Sequence, residues 1–327
     1  MTIVLPEWGI NMDNSPGAAP GISFLSIAGG KNGVRLRLFA MALPLFALVI
    51  VFNYLPLWGW AMAFIKYRPG VSIFQSEFVG FSFFTKIFEP GSNFLQVFRN
   101  TLVLGLLSQL GTPIAVVFAL MLNESRLTGF KKVIQTVTSL PNFISMIIVY
   151  SIFFRFLSVE DGIVNVMLRN IGLLKQPIDF LASKEMVWPL QTFVGIWKYT
   201  GWTAIIFISA IAGIEQELYE AASVDGAGRA ARMWNITLPG IMPTFAVMMI
   251  LNIGYLLSTG FEQYYLFYNG MIASHIEVLD TYVYRLGIAQ GNYSYATAIG
   301  VSKTLISVFL LFMANLVSKR TTRSSFF

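Results

Sequence analysis

Few side chains in this sequence could carry covalent or metal chemistry. Its 327 residues hold one histidine, His275, and no cysteine. Thiolate nucleophiles, zinc–thiolate centres and paired-imidazole sites are therefore excluded. His275 and Glu277 are two residues apart, whereas two groups share a helical face at a separation of three or four. His275 reads as an ordinary loop residue. Gly29, Gly30, Lys31 and Asn32 lack both the earlier glycine spacing and the following Ser or Thr of a phosphate loop, so any nucleotide must be held by another polypeptide. Carboxylates and hydroxyls alone give no nucleophile, base and metal constellation, and the chain does not read as an enzyme.

The polar groups that remain must be positioned by apolar helices. The chain is 56% hydrophobic and 12% charged, against about a quarter charged in soluble domains. Six apolar runs, at 38–60, 99–123, 133–157, 188–213, 241–262 and 293–317, are each long enough as a helix to cross a hydrocarbon core of roughly 30 Å. The expected fold is an all-α polytopic membrane protein with about six transmembrane helices. Residues 1–34, with Pro6, Pro16 and Pro20 and no stretch suited to a cleaved signal, read as a flexible arm. A membrane domain follows at 35–318 and a short tail at 319–327.

The net charge of +6 sits in the segments that flank the membrane, so it reads as topology and not as a nucleic-acid surface. Lys31, Arg35 and Arg37 precede the first run; Arg126, Lys131, Lys132, Arg229, Arg232 and Arg323 lie in later segments of the same side. Basic residues are denser there than in the opposite loops, which places both termini in the cytoplasm. Pro44, Pro56, Pro113 and Pro141 interrupt spans, either as kinks in a bundle or as breaks that line a pathway.

One inner connection, 214–240, differs from the others. Glu215, Glu217 and Glu220 near the start of a helix-forming stretch suit the helix dipole. Asp225 and Gly226 supply turn chemistry, because glycine adopts positive φ at little cost. A second short helix over 229–235 should then stop at Pro239. Ala221 and Ala222 give a low-relief surface, and Glu220 offers a carboxylate to a partner's arginine. A helix, a bend and a helix on the cytoplasmic face form a docking knob.

Glu220, Ala221, Ala222 and Gly226, followed by Ile236, Leu238 and Pro239, resemble in type and spacing the EAA loop of binding-protein-dependent ABC importer permeases. The resemblance implies that this loop, Asp225 included, inserts into a cytoplasmic ATPase subunit and couples its closure to the spans. It also implies a second homologous permease, two ATPase subunits that bind ATP and Mg, an extracytoplasmic solute-binding protein and a place in the bacterial inner membrane. Residues 197–202 (Trp197, Lys198, Tyr199, Thr200, Gly201, Trp202), 279–287 and 293–300 are similar to carbohydrate permeases of the maltose-type class. The oligosaccharide and polysaccharide branch, alginate importers included, implies a uronate-containing cargo.

Sugars are held by aromatic faces and by polar groups that meet hydroxyls. Lys198, Tyr199, Trp202, Asn252, Tyr255 and Glu262 are the expected pathway residues, with Lys198 facing the translocation cavity. Each has a plainer reading: Lys198 can snorkel to the outer interface, the aromatics can belong to the interfacial belt, and Asn252 can bond a neighbouring helix. A secondary transporter of a small polar solute is the alternative function, though the sequence has no visible internal repeat.

Overall fold

The computed structural model describes residues 31–125 and 127–321. The arm up to residue 30, Arg126, and tail residues 322–327 with Arg323 lie outside them. The chain divides after Trp58 into two compact units. The apolar helix Arg35–Phe64 contains that division: it is α-helical to Val49, passes through a π turn at Ile50–Tyr54 and tightens to a 3-10 helix over Leu55–Phe64.

Residues 59–321 form the helical body. The second span, Phe94–Glu124, tightens at Gln109 and Leu110. Pro113 lies just beyond, and its ring crowds the Gln109 carbonyl one turn back. The fourth, Val187–Ala212, is the central rod. Its buried residues Val187, Gln191, Val194, Lys198, Gly201, Ala204, Phe207 and Ile211 recur every three to four positions and mark one face. At Gly201 a Cβ would collide with the Thr138 backbone, so a small residue lets two helices approach as membrane packing requires.

The third span departs from the expected single helix over 133–157. Thr128–Phe143 and Met146–Leu157 meet at 105°. Pro141 cannot donate to the preceding turn, Ile144 and Ser145 turn extended, and the freed carbonyls are met by a side chain from the fourth span. The bent pair nevertheless crosses the bundle. Asn100, near the start of the second span, donates to the carbonyls of Ser274 and Glu277. Trp188, at the start of the fourth, donates to the neighbouring His275 carbonyl. Both spans begin at one end, so the chain between them has to return there.

The fifth span also shifts from the expected 241–262. It runs Arg229–Gly254, and Tyr255 and Glu262 lie beyond it. Pro239 does not stop the preceding helix. A π turn at Met233–Thr237, closed by Leu238 N–H to the Met233 carbonyl, widens the helix just where the proline ring would strike the Asn235 carbonyl. Helix therefore continues through the proline. The sixth span occupies Tyr293–Val317. Between the fifth and sixth, residues 255–292 fold into short helices at Glu262–Leu266, Ala273–Ile276 and Leu279–Tyr284. Ile272, Ile276, Val278, Leu279 and Tyr282 are buried there against the starts of the second, fourth and sixth spans.

Candidate functional site

The second, fourth and fifth spans and the turn after Gly254 enclose a cavity of about 330 Å³. Ser108, Gln109 and Thr112 contribute from the second span, Gln191, Thr192, Tyr199, Thr200 and Thr203 from the fourth, and Asn252 from the fifth. Tyr255, Ser258, Thr259 and Gln263 complete it. Among the described residues no charged side chain lines it; its chemistry is that of hydroxyls and carboxamides.

Part of this wall is fixed by its own hydrogen bonds. Asn252 Nδ2 donates to Thr112 Oγ1 at 2.8 Å. Gln263 Nε2 donates to both the carbonyl and the side-chain oxygen of Gln191, each at 2.8 Å. Thr200 Oγ1 donates to the Ile196 carbonyl at 2.6 Å, which leaves its lone pairs for an incoming donor. Gln109 Oε1 and Thr259 Oγ1 are buried and have no hydrogen-bond partner among the described residues. Buried acceptors left so are costly, and a polyhydroxylated ligand supplies donors for them. Burial, then the charge of Asp280 and Tyr199, pushes the Tyr264 phenol up, so it stays a neutral donor beside the cavity.

Of the expected pathway residues, Tyr199, Asn252 and Tyr255 line this cavity and Lys198, Trp202 and Glu262 do not. Lys198 is 5% exposed, and its ammonium donates to the carbonyls of Pro141 at 2.9 Å, Asn142 at 3.3 Å and Ile144 at 2.5 Å. It clasps the elbow of the third span. A cation against carbonyls freed by a break satisfies both groups, where an unpartnered ammonium inside the bundle is expensive. Trp202 sets its ring edge-on to Phe143 at the same elbow, 5.4 Å between centroids. Glu262 is exposed at the head of its short helix, outside the span.

Sequence reasoning missed Gln109, Thr112, Gln191, Thr259 and Gln263. The available signal was a carboxamide or hydroxyl inside an apolar run, since such groups point inward in a membrane bundle. Two ion pairs were missed as well. Arg285 holds Glu277 through two hydrogen bonds, 2.6 and 3.0 Å, and Lys303 pairs with Asp280.

The 214–240 connection forms the expected helix, bend and helix. Helix Gln216–Val224 ends where Gly226, at φ +78°, lets Ala227 N–H reach back to the Ala222 carbonyl and Gly226 N–H to that of Ser223. Tyr219 and Thr237 hydroxyls at 3.0 Å, and Arg232 Nη1 donating to Ser223 Oγ at 2.9 Å, tie the two helices together. Glu220, Ala221, Asp225 and Gly226 are exposed, as is Pro239, while Ala222, Ile236 and Leu238 are half-buried.

Comparison with known proteins agrees with this architecture. The family described as binding-protein-dependent transport system inner membrane component matches residues 111–323, and the chain belongs to it. It is thus a multi-pass membrane component of a transport system that depends on a binding protein. Protein LplB of Bacillus subtilis (strain 168) is 42% identical over 291 residues, 89% of this chain and 91% of the relative. The polygalacturonan/rhamnogalacturonan transport system permease protein YteP of the same organism is 40% identical over 284 residues, 86% and 88% of the two chains. A chain in the crystal structure of a bacterial ABC transporter involved in the import of the acidic polysaccharide alginate is 37% identical, with a TM-score of 0.80 over 89% of this chain and 97% of its own. A chain from a bacterial alginate ABC transporter in complex with an alginate pentasaccharide-bound periplasmic protein has a TM-score of 0.82, 37% identity and coverage of 90% and 97%.

Proposed function

We propose that the chain forms one half of the passage of a carbohydrate importer, paired with a second homologous permease. Two cytoplasmic ATPase subunits, which bind ATP and Mg, drive it. In this reading both termini and the 214–240 connection face the cytoplasm, and residues 255–292 face the side from which the solute-binding protein delivers cargo. Glu220, Ala221, Ala222, Asp225, Gly226, Ile236, Leu238 and Pro239 make the contact with the ATPase. ATP-driven closure of the ATPase pair moves that contact, and the fifth span, continuous with it, moves with the cavity wall.

The observation that carries the cargo class is the neutral cavity with two unpaired buried acceptors, Gln109 Oε1 and Thr259 Oγ1. Hydroxyl-rich ligands match such a wall, and Tyr199 and Tyr255 offer aromatic surface to sugar C–H faces. The similarity to permeases of polygalacturonan and alginate importers supports an acidic, uronate-containing oligo- or polysaccharide.

ATPase activity of the subunit coexpressed with its neighbouring permease and ATPase genes, in lipid with the binding protein, tests this. A panel of neutral and uronate oligosaccharides should give stimulation by the uronate class. An absence of both a copurifying ATPase and any stimulation by sugar would overturn the reading.

A further inference from the structure

The central cavity has no charged wall among the described residues, so it can bond hydroxyls without selecting carboxylates. Charge is found instead in a second pocket, of about 360 Å³, between the turn after helix Ser82–Lys86 and the segment Leu279–Tyr284 with its π continuation Arg285–Ala289. Lys86 and Arg285 both line it, backed by the buried Tyr282 and Tyr295, with Ser92 and Asn93 as hydroxyl and carboxamide groups. Glu89 also lines it. It adjoins the starts of the second and sixth spans, at the same end as Trp188 and His275.

Arg285 is built into place. Glu277, whose side chain is 9% exposed, takes two of its five N–H hydrogens through the bonds at 2.6 and 3.0 Å, and the guanidinium lies 5.2 Å from the Tyr282 ring centroid. Three donors of the fork remain for a ligand. Lys86 Nζ stands 5.7 Å from the Tyr295 ring centroid and has no carboxylate partner among the described residues. A hexuronate ring presents hydroxyls and one carboxylate, which correspond to Ser92 and Asn93 and to the two cations.

We propose that this pocket is a carboxylate-selective sugar subsite that takes one uronate ring of an acidic oligosaccharide at the mouth of the passage. The proposal rests on the carbohydrate reading above and deepens it. The importer would then read acidity at its mouth and hydroxyl pattern in its interior, with Lys86 and Arg285 as specificity-determining residues.

The test uses the complete importer, this chain with its partner subunits, in nanodiscs of neutral lipid and without the binding protein. Equilibrium binding of a uronate oligosaccharide is compared with that of its carboxyl-reduced counterpart. The uronate form should bind about tenfold tighter, one charge-assisted contact's worth. Lys86→Gln, at an exposed position, should remove most of that preference, and Arg285→Lys, which keeps a cation on Glu277, should reduce it. Equal binding of the two sugars to the wild type, or a preference that survives both substitutions, overturns the subsite. So does a preference abolished by adding anionic lipid, because the pocket would then take lipid headgroups. If sugars still stimulate the ATPase when the binding protein is restored, the subsite alone has failed. If none does, the carbohydrate reading has failed with it.

Discussion

Two connections between spans, residues 213–228 and 255–292, are treated in opposite ways by the fold. In the first, helix Gln216–Val224 has no buried residue, and Leu218 and Val224 are 50% and 89% exposed. In the second, Ile276, Val278 and Leu279 are essentially inaccessible, and Asn100, itself 0% exposed, donates into the segment. A helical connection held by its own Schellman turn and two side-chain ties, with no buried residue in its helix, presents its apolar groups to whatever binds it. The buried connection is part of the body. Stability should depend on the second and communication with other chains on the first.

The largest expected effect is on the buried side. Asn100→Ala strips its donor from the Glu277 carbonyl and leaves that of Ser274 to Gln96 alone, and should cost about 3 kcal/mol, read as earlier thermal unfolding of the detergent-solubilised protein. Lys198→Met, which uncovers the elbow carbonyls, should cost about 2 kcal/mol in the same assay. It should leave the central cavity's sugar preference unaltered; a changed preference would return Lys198 to the pathway. On the exposed side, Gly226→Pro cannot adopt φ +78° and should cut sugar-stimulated ATPase more than tenfold with membrane insertion intact. Retained stimulation would break the contrast.

Glu220→Ala should shift unfolding by no more than about 0.5 kcal/mol, the usual range for a surface change, while lowering stimulated ATPase severalfold. The smallest effect concerns His275. Burial, then Arg99 and Lys184, hold its imidazole below the ordinary value. A group whose folded pKa is depressed favours the neutral form, so its contribution is present above about pH 6.5 and falls as the pH drops towards the lower folded value. The unfolding temperature should therefore decline between pH 7 and 5, and His275→Gln should flatten that decline.

Much of this contrast was legible in the residues. The acids and the Asp225–Gly226 pair gave the helix, bend and helix, because a positive-φ glycine and a first-turn acid are local demands. Apolar run length gave the spans for the same reason. The elbow at residue 144 was not legible: Pro141 reads equally as a gentle kink until Lys198, 54 to 57 residues on, is seen to hold the freed carbonyls. The expected fifth span lies too far towards the C-terminus because Leu256 and Leu257 extend the apolar composition, although they pack into the body beyond the helix end. Pro239 reads as a stop because the proline rule is local, while the π turn that evades it spans Met233–Thr237. Lys198, Trp202 and Glu262 lie off the cavity wall for a related reason, since depth along a sequence says nothing of which wall a side chain meets.

The uninterrupted helix Arg229–Gly254 has a mechanical consequence. Its 26 residues span about 39 Å at the α-helical rise, from the exposed turn to within a few residues of Tyr255 and Thr259 on the cavity wall. A loop between those points would absorb a push as slack. A rod does not: a small tilt at Arg229 is carried to the far end as displacement, with Met233–Thr237 as its only departure from α-helical pitch. By surviving Pro239, the helix keeps its lever arm whole.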